Sequence, residues 1–403
     1  MTTKLNLHKL MGNEAGYLHA LKVSDEDRST LAEARELIRD TLRDAFAHWD
    51  RYVSEAQMRD SSITKSLVRP DVPAPKFKIQ GSFAYFTAND CQDPPRQQID
   101  QDDGVFLPLS FVTVKGRARP TIASSAYFQL VERALKPLCE REGWTLNPGR
   151  AKGSCVRIEI DTHLHIDLPL YAIRDTAFEE MVELAAQDLR KAFIRDSREL
   201  DERIYRELGD AEIILAHRER GWIKSDPRRL ENWFQNAVDL YGEGVRLLSR
   251  AFKGLRDAKF NDGLSSICIM ACVVRAIEQL GSPDPKRLDL SLIEVGREIA
   301  RRAGEPVDNP VFPGDEDKRL CAGWTAEFRE DVRSLFNDAV DRLEEAVDGT
   351  YHKSIALQRA RSAFGSRVPE NEHLIGLSGA PATVRAVPPV RQPQPMVPRT
   401  KSG

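Results

Sequence analysis

A glycine–serine turn stands a short way upstream of two aspartates spaced i, i+2. The run Ile79-Gln80-Gly81-Ser82-Phe83 precedes Gln98-Ile99-Asp100-Gln101-Asp102-Asp103-Gly104. In an extended strand alternate side chains share a face, so Asp100 and Asp102 project together while Ile99 turns toward a core. Two carboxylates held side by side repel unless a cation sits between them. Such oxygen pairs suit Mg²⁺, which takes one or two carboxylates and completes its shell with water and substrate phosphates. A Gly-Ser turn nearby aims backbone N–H groups and a hydroxyl at a phosphate. Alone, an Asp-rich run is more often a solvated turn, and a lone Gly-Ser is weaker still. A third carboxylate in a suitable setting is what gives the pair chemical meaning.

Asp167 has that setting. From Cys155 to Leu168 the chain alternates, with Val156, Ile158, Ile160, Leu164, Ile166 and Leu168 on one face. Arg157, Glu159, Asp161, His163, His165 and Asp167 fall on the other. The period of two predicts a half-buried strand, with Pro169 limiting its pairing and marking its end. Paired beside the Asp100/Asp102 strand, Asp167 completes a cluster able to hold two metal ions roughly 3.5–4 Å apart. One ion would activate an attacking hydroxyl and the other would steady a leaving phosphate, which is metal-dependent nucleotidyl transfer. His163 and His165 read as cleft-lining or solvated residues rather than a zinc pair. Cys268 and Cys272, i, i+4 in an apolar helix, read as core, and no CxxC or Cys/His cluster appears.

Taken together, QGSFAYFTAND, QQIDQDDGVFLPLSF and HIDLPLYAI resemble the bacterial cGAS/DncV-like nucleotidyltransferases (CD-NTases), the DncV-like members most of all. The resemblance spans residues 79 to 275. It implies an α+β fold: a polymerase-beta-like nucleotidyltransferase core with a mixed sheet plus a helical lobe, bilobed around a central nucleotide cleft. It also implies a cyclic oligonucleotide synthase of an anti-phage CBASS system. Carried over residue by residue, Asp100 and Asp102 are the metal pair and Asp167 the third catalytic carboxylate, with Mg²⁺ as cofactor and Mn²⁺ as its substitute. Gly81 and Ser82 hold the donor triphosphate, with Gln80 as a polar neighbour. Tyr85 stacks on a base, a contact tolerant of base identity. In the basic amphipathic helix around Arg246, Arg250 and Arg256, Lys253 grips the triphosphate. Ser265 or Ser266 meets the phosphates. In Gly221-Trp222-Ile223-Lys224-Ser225-Asp226-Pro227, the Ser225-Asp226 pair reads a purine edge, since a carboxylate accepts two N–H bonds that guanine offers and adenine does not. Arg157 points into the same cleft. Without the resemblance, Tyr85 reads equally as a core tyrosine, Lys253 as a solvated lysine, and Ser225-Asp226-Pro227 as a helix cap.

The implied substrates are ATP and GTP, and the implied product is cyclic GMP–AMP. A cyclic di-adenylate, a cyclic trinucleotide, linear transfer to RNA or protein, and a non-catalytic scaffold are the alternatives. An effector would bind the cyclic product. Many bacterial relatives are conjugated by a ubiquitin-like ligase through a C-terminal glycine or alanine, which marks Gly403 as a conjugation site.

The rest of the chain must position these groups. With 403 residues, 41% of them hydrophobic, it can build two lobes with cores of their own. A formal net charge of −3 argues against non-specific nucleic-acid binding as the main task. The N-terminus lacks a signal-peptide core, no run is long enough for a membrane span, and six scattered cysteines suit a reducing cytoplasm. Ser24 is expected to cap a helix from Asp25 to Met58, with Asp27 as a partial capping box, running as a spine behind both lobes. Residues 76–172 should hold the strands, with a helix from Ser124 to Glu142 on the sheet. From Ala177 to Asp348 the pattern reads as largely helical, interrupted by loops at Gly281–Pro285 and Glu305–Asp317. The expected domains are 1–175 (core with spine helix), 176–367 (helical lobe) and 368–403 (a disordered, Pro-rich tail). After Glu372 there are no acids, and such composition cannot fold alone.

Overall fold

The strands carrying Asp100 and Asp167 lie side by side at the centre of a seven-stranded sheet. The computed structural model describes residues 4–48, 51–52, 74–92, 97–108, 120–147, 153–173, 213–260 and 263–378. Its N-terminal segment holds β1 (Leu5–Asn6), α1 (His8–Met11), α2 (Tyr17–Ala20) and α3 (Asp25–Ala47). The sheet region follows with β2 (Lys76–Gln80), α4 (Gly81–Ala84), β3 (Ile99–Pro108), α5 (Pro120–Glu142), β4 (Thr145–Leu146), β5 (Cys155–Glu159) and β6 (Leu164–Ile173). Next come β7 (Ile214–His217) and β8 (Gly221–Lys224). The helical lobe holds α6 (Pro227–Tyr241), α7 (Gly244–Lys259), α8 (Ser266–Leu280), α9 (Leu288–Arg301), α10 (Ala326–Asp348) and α11 (Lys353–Phe364), and β9 (Gly376–Leu377) closes the described chain.

The sheet runs β2-β3-β6-β5-β4, and β7 joins β6 and carries β8. Only β3 and β6 pair in parallel, so the sheet is mixed. The expected single strand from Cys155 to Leu168 is instead a hairpin. Asp161 turns it, accepting bonds from the His163 and Leu164 N–H groups at 2.7 and 2.9 Å. Opposed residues such as Arg157 and Asp167, or Ile158 and Ile166, share a face. The polar–apolar alternation therefore keeps its parity through the turn, interrupted only by Thr162 in the apolar series, which hides the turn from a periodicity reading. Nor does Pro169 end the strand. β6 continues to Ile173; Pro169 is the last residue paired with β5, and the β3–β6 register lapses at Leu168 and Pro169 before resuming at Leu170, so the proline interrupts one ladder without ending the strand. The polar face is also drier than expected: Arg157, His165 and Asp167 are all buried.

The Ser24 cap forms, with its hydroxyl accepting from the Asp27 N–H at 3.0 Å and donating to the Asp27 carboxylate at 2.8 Å. Helix α3 stops at Ala47, well short of Met58. Its buried series Leu31, Ala34, Ile38, Leu42, Ala45 and Phe46 belongs wholly to the sheet's core, so α3 backs the sheet rather than both lobes. Arg39 on α3 holds the fully buried Asp103 of β3 with two bonds of 2.8 and 2.6 Å, a pair invisible in the DxDDG run.

A second core gathers the helices. It takes in Leu5, Leu7, Leu10, Met11, Tyr17, Leu18 and Leu21 from the N-terminal segment, which the reading of 1–175 as one unit had grouped with the sheet. It also takes in Ile375, and β9 pairs with β1 through Leu377 and Leu5. Order thus extends past the expected tail start at residue 368; residues 379–403, Gly403 among them, lie outside the described residues. The stretch 174–212 does so too. The β7–β8 hairpin was missed because Ile213-Ile214-Leu215-Ala216 is too short an apolar run to separate strand from helix. Among the described residues no helix is long and apolar enough to cross a membrane.

Candidate active site

Strand register aligns the polar residues in two rows. Gln80 on β2 opposes Asp102 on β3, Asp102 pairs with Asp167 on β6, and Asp167 opposes Arg157 on β5. In the next row Asp100 pairs with His165, which opposes Glu159. Asp167 therefore stands mid-strand, directly beside Asp102. Its carboxylate accepts from Arg157 Nε and Nη2, both at 2.7 Å, in a buried bidentate pair. Burial works against the Arg157 charge, but the bond to Asp167 outweighs it and holds the guanidinium above its ordinary range.

Asp100, His165 and Asp167 bring one ligand atom each to within 4.8 Å of one another. His165 Nε2 lies 3.0 Å from Asp100 Oδ1 without hydrogen-bond alignment, and both its ring nitrogens are buried and unsatisfied. A carboxylate pair, Asp167 buried and Asp100 half-buried, with an unsatisfied imidazole fits a divalent cation. The sequence placed His165 among cleft-lining or solvated groups; it lines the site and is shut from solvent. His163 faces away at the hairpin turn, engaged by Asp27 and Asp161, so the two histidines form no joint site.

The Gly-Ser turn lies at the seam between the two cores. Phe83 packs on the sheet's core and Tyr85 on the helical one. Gly81 has φ +64, and a Cβ there would stand 2.0 Å from Asp102 Oδ2. Ser82 Oγ reaches the Asp100 carbonyl at 3.4 Å. Gln80 Oε1 accepts from the Tyr171 hydroxyl at 3.2 Å, while its Nε2 is buried and unsatisfied. Burial raises the Tyr85 hydroxyl's pKa, with Glu231 and Asp102 adding to it. Tyr171 is raised likewise, by burial first and then by Asp102 and Tyr85. Both phenols thus stay protonated beside the carboxylates.

From the helical lobe, Lys253 is buried rather than solvated, and its Nζ donates to the Thr87 carbonyl at 2.7 Å. Burial, helped by Arg256 and Arg250 and opposed by Asp257 and Asp100, pushes its pKa down to about 7. Ser265 caps α8, accepting from the Cys268 N–H at 3.2 Å, and the Ser266 hydroxyl accepts from Arg256 at 3.1 Å. Asp226 caps α6 and is also gripped by the Arg228 side chain at 2.9 and 2.7 Å, so its carboxylate is engaged; Ser225 precedes it on the way out of β8. His165, Tyr171, Thr87 and Arg256 were not singled out as site residues from sequence. Only the position of His165 beside Asp167 offered a signal.

Carboxylates on adjacent parallel strands of a mixed sheet, a Gly-Ser turn on the neighbouring strand and a helical lobe presenting a lysine define a polymerase-beta-like nucleotidyltransferase. The chain belongs to the DncV-like nucleotidyltransferases. Residues 75–171 match the family described as cyclic GMP-AMP synthase DncV-like, nucleotidyltransferase domain, and residues 242–377 match the cyclic GMP-AMP synthase C-terminal domain. A cyclic GMP-AMP synthase of Vibrio cholerae is 28% identical over 94% of each chain. One from Escherichia coli strain TW11681 is 27% identical over 95% of each. The crystal structure of Vibrio cholerae DncV with the linear intermediate 5' pppA(3',5')pG superposes with a TM-score of 0.73 at 27% identity, covering 94% of this chain and 100% of that one. A DncV variant holding ATP and GTP gives 0.74 at 27% identity, covering 93% and 100%.

Proposed function

We propose that the protein joins ATP and GTP into cyclic GMP–AMP, and that Asp100, Asp102 and Asp167 hold Mg²⁺, with Mn²⁺ as its substitute. The observation that carries the reading is the register that sets Asp102 beside Asp167, with Asp100 one row away, and Asp102 and the Asp100 carbonyl against the Gly81–Ser82 turn. Divalent cations bound there supply the positive charge that stabilises in-line displacement at a phosphate. The chain's own groups do the rest. The Gly81–Ser82 backbone orients the donor triphosphate, Tyr85 stacks on a base, and Lys253 with Ser265 and Ser266 approaches the phosphates from the helical lobe. Arg157 keeps Asp167 aimed through its two bonds to the carboxylate. Positioning of an acceptor hydroxyl against the donor α-phosphorus, together with the cations' charge, accounts for most of the rate. Asp226 reads a guanine edge only by exchanging its Arg228 bonds for it.

The two relatives named above support ATP and GTP as substrates. Purified protein given ATP, GTP, CTP and UTP with Mg²⁺ should yield a phosphatase-resistant cyclic GMP–AMP by mass spectrometry. Label appearing instead on RNA or protein would overturn the reading in favour of linear transfer. We place the product in anti-phage signalling through a cytoplasmic effector, and Gly403 as the residue a ubiquitin-like ligase would join; deleting Gly403 should remove any conjugate and leave synthesis unchanged.

Lys253 gives a proton-linked test. With its pKa near 7, against 10.5 ordinarily, Lys253 is mostly neutral at pH 8 in the nucleotide-free protein. A triphosphate favours the charged form, so nucleotide binding at pH 8 should take up a proton. Calorimetry in two buffers of different ionisation enthalpy measures this, and Lys253→Met should abolish it. Absence of uptake by the parent protein would show that Lys253 does not meet the phosphates. The same depressed value sets a sign for stability. Between about pH 7 and 10.5 the unfolded chain holds more protons at this residue, so its contribution to stability rises with pH.

A further inference from the structure

Phe86 follows Tyr85 and breaks two rules at once. It is 70% exposed, and its φ is +58. Among the described residues the only other non-glycine with positive φ is Asn147, a type that tolerates this region. A bulky aromatic does not, and strain of this kind persists only where the surroundings over-determine it. Here they do. Tyr85 N–H donates to the Gly81 carbonyl at 3.0 Å and Thr87 N–H to the Ser82 carbonyl at 2.8 Å. Lys253 pins the Thr87 carbonyl at 2.7 Å. Arg246 donates to the Tyr85 carbonyl at 3.2 Å, is itself held by Glu243 and Gln235, and sets its guanidinium 5.5 Å from the centre of the Phe86 ring.

Apolar burial does not account for this, because the ring is left in solvent. The same bonds that shape the phosphate turn hold an aromatic platform outside it, backed by a cation. A flat, rigid, cation-backed ring at the lip of a nucleotide cleft is suited to one ligand chemistry, the face of a heteroaromatic base. Tyr85 is partly buried, packing on the helical core 6.0 Å from Phe234, so Phe86 is the more exposed of the two rings.

We propose that Phe86 is an outer base-stacking residue, taking the purine of a nucleotide at the mouth of the cleft. This rests on the nucleotide-joining reading above. Stacking on a ring recognises any purine, so Phe86 would set affinity more than base identity.

The test is a set of three substitutions, Phe86→Gly, Phe86→Ala and Phe86→Trp, assayed for synthesis with each nucleotide varied in turn. Phe86→Gly and Phe86→Ala should raise the KM of one nucleotide about tenfold with kcat little changed. Phe86→Trp should keep it near the parent value. Phe86→Gly should also melt no lower than the parent protein, since glycine accepts the positive φ without strain. A residue that only supported the fold would lower the melting temperature in Phe86→Gly and would not be rescued by tryptophan. KM values for both nucleotides within about twofold of parent in Phe86→Gly and Phe86→Ala would overturn the inference and leave the reading intact. If the parent makes no product from ATP and GTP, the reading fails instead. Titration of ATP and GTP by calorimetry then decides Phe86, with unchanged affinities in Phe86→Gly overturning it and a tenfold loss for either nucleotide supporting it.

Discussion

Replacing Asp167 with asparagine is expected to cut nucleotide joining by about a thousandfold or more and to destabilise the protein as well. The two losses have different causes. Asp167 stands beside Asp102 across the parallel strand pair, and its charge is part of the cluster that fits a cation. It is also the partner of Arg157, whose side chain is only 10% exposed and whose guanidinium is bonded twice to it. Breaking a buried pair from one side leaves a charge without compensation, typically worth about 3–5 kcal/mol. Asp100 also acts on Arg157 and offsets part of that charge, so the cost should fall toward the lower end. The double variant Asp167→Asn/Arg157→Gln places neutral groups on both strands and should recover most of the melting temperature. It should recover none of the activity. Calorimetric melting and product formation, measured on the parent, both single variants and the double, separate the roles. If Asp167→Asn alone kept more than about a tenth of parent activity, Asp167 would be structural and the metal assignment would fail.

The site was legible where chemistry and periodicity agree. Asp100 and Asp102 share a face because strands alternate, and Ile99 confirms the direction by its burial in the sheet's core. Asp167 was legible by the same alternation, though its strand was not. A hairpin whose opposed residues keep parity looks, in sequence, like one long strand. The Asp161 turn keeps the pattern's parity, and the polar Thr162 in the apolar series is the one mark it leaves. Burial was the least legible property. Arg157 and Lys253 are residue types that ordinarily stay wet, and His165 is of a type intermediate in burial. They are dry here because β5, β6 and α7 each present a polar face to the site between the two cores. One chain segment's periodicity carries no information about what covers it from another. Helix α3 shows the converse: its cap was readable from Ser24 and Asp27, but its end at Ala47 was not.

Gly81→Ala should be the most damaging single-methyl change in the site. Two penalties combine at this position. Its φ of +64 is costly for any residue with a Cβ, roughly 1–2 kcal/mol. The added Cβ would also lie 2.0 Å from Asp102 Oδ2, well inside contact distance, so the Asp102 carboxylate or the turn must move. Gly143→Ala isolates the first penalty, because Gly143 has φ +75 and nothing within 4 Å of its would-be Cβ. That variant should lose stability by the strain alone and keep full activity. Gly81→Ala should lose more stability and about a hundredfold in rate, the scale of a reacting group misplaced by roughly 1 Å. The rate loss should appear in kcat, since a displaced Asp102 disturbs the reacting phosphate more than the base. Equal behaviour of the two variants, both active, would mean that the Asp102 carboxylate has room to shift without consequence. The close approach of turn and carboxylate would then be packing only, and Asp102 would lose its place among the groups that act on the phosphate.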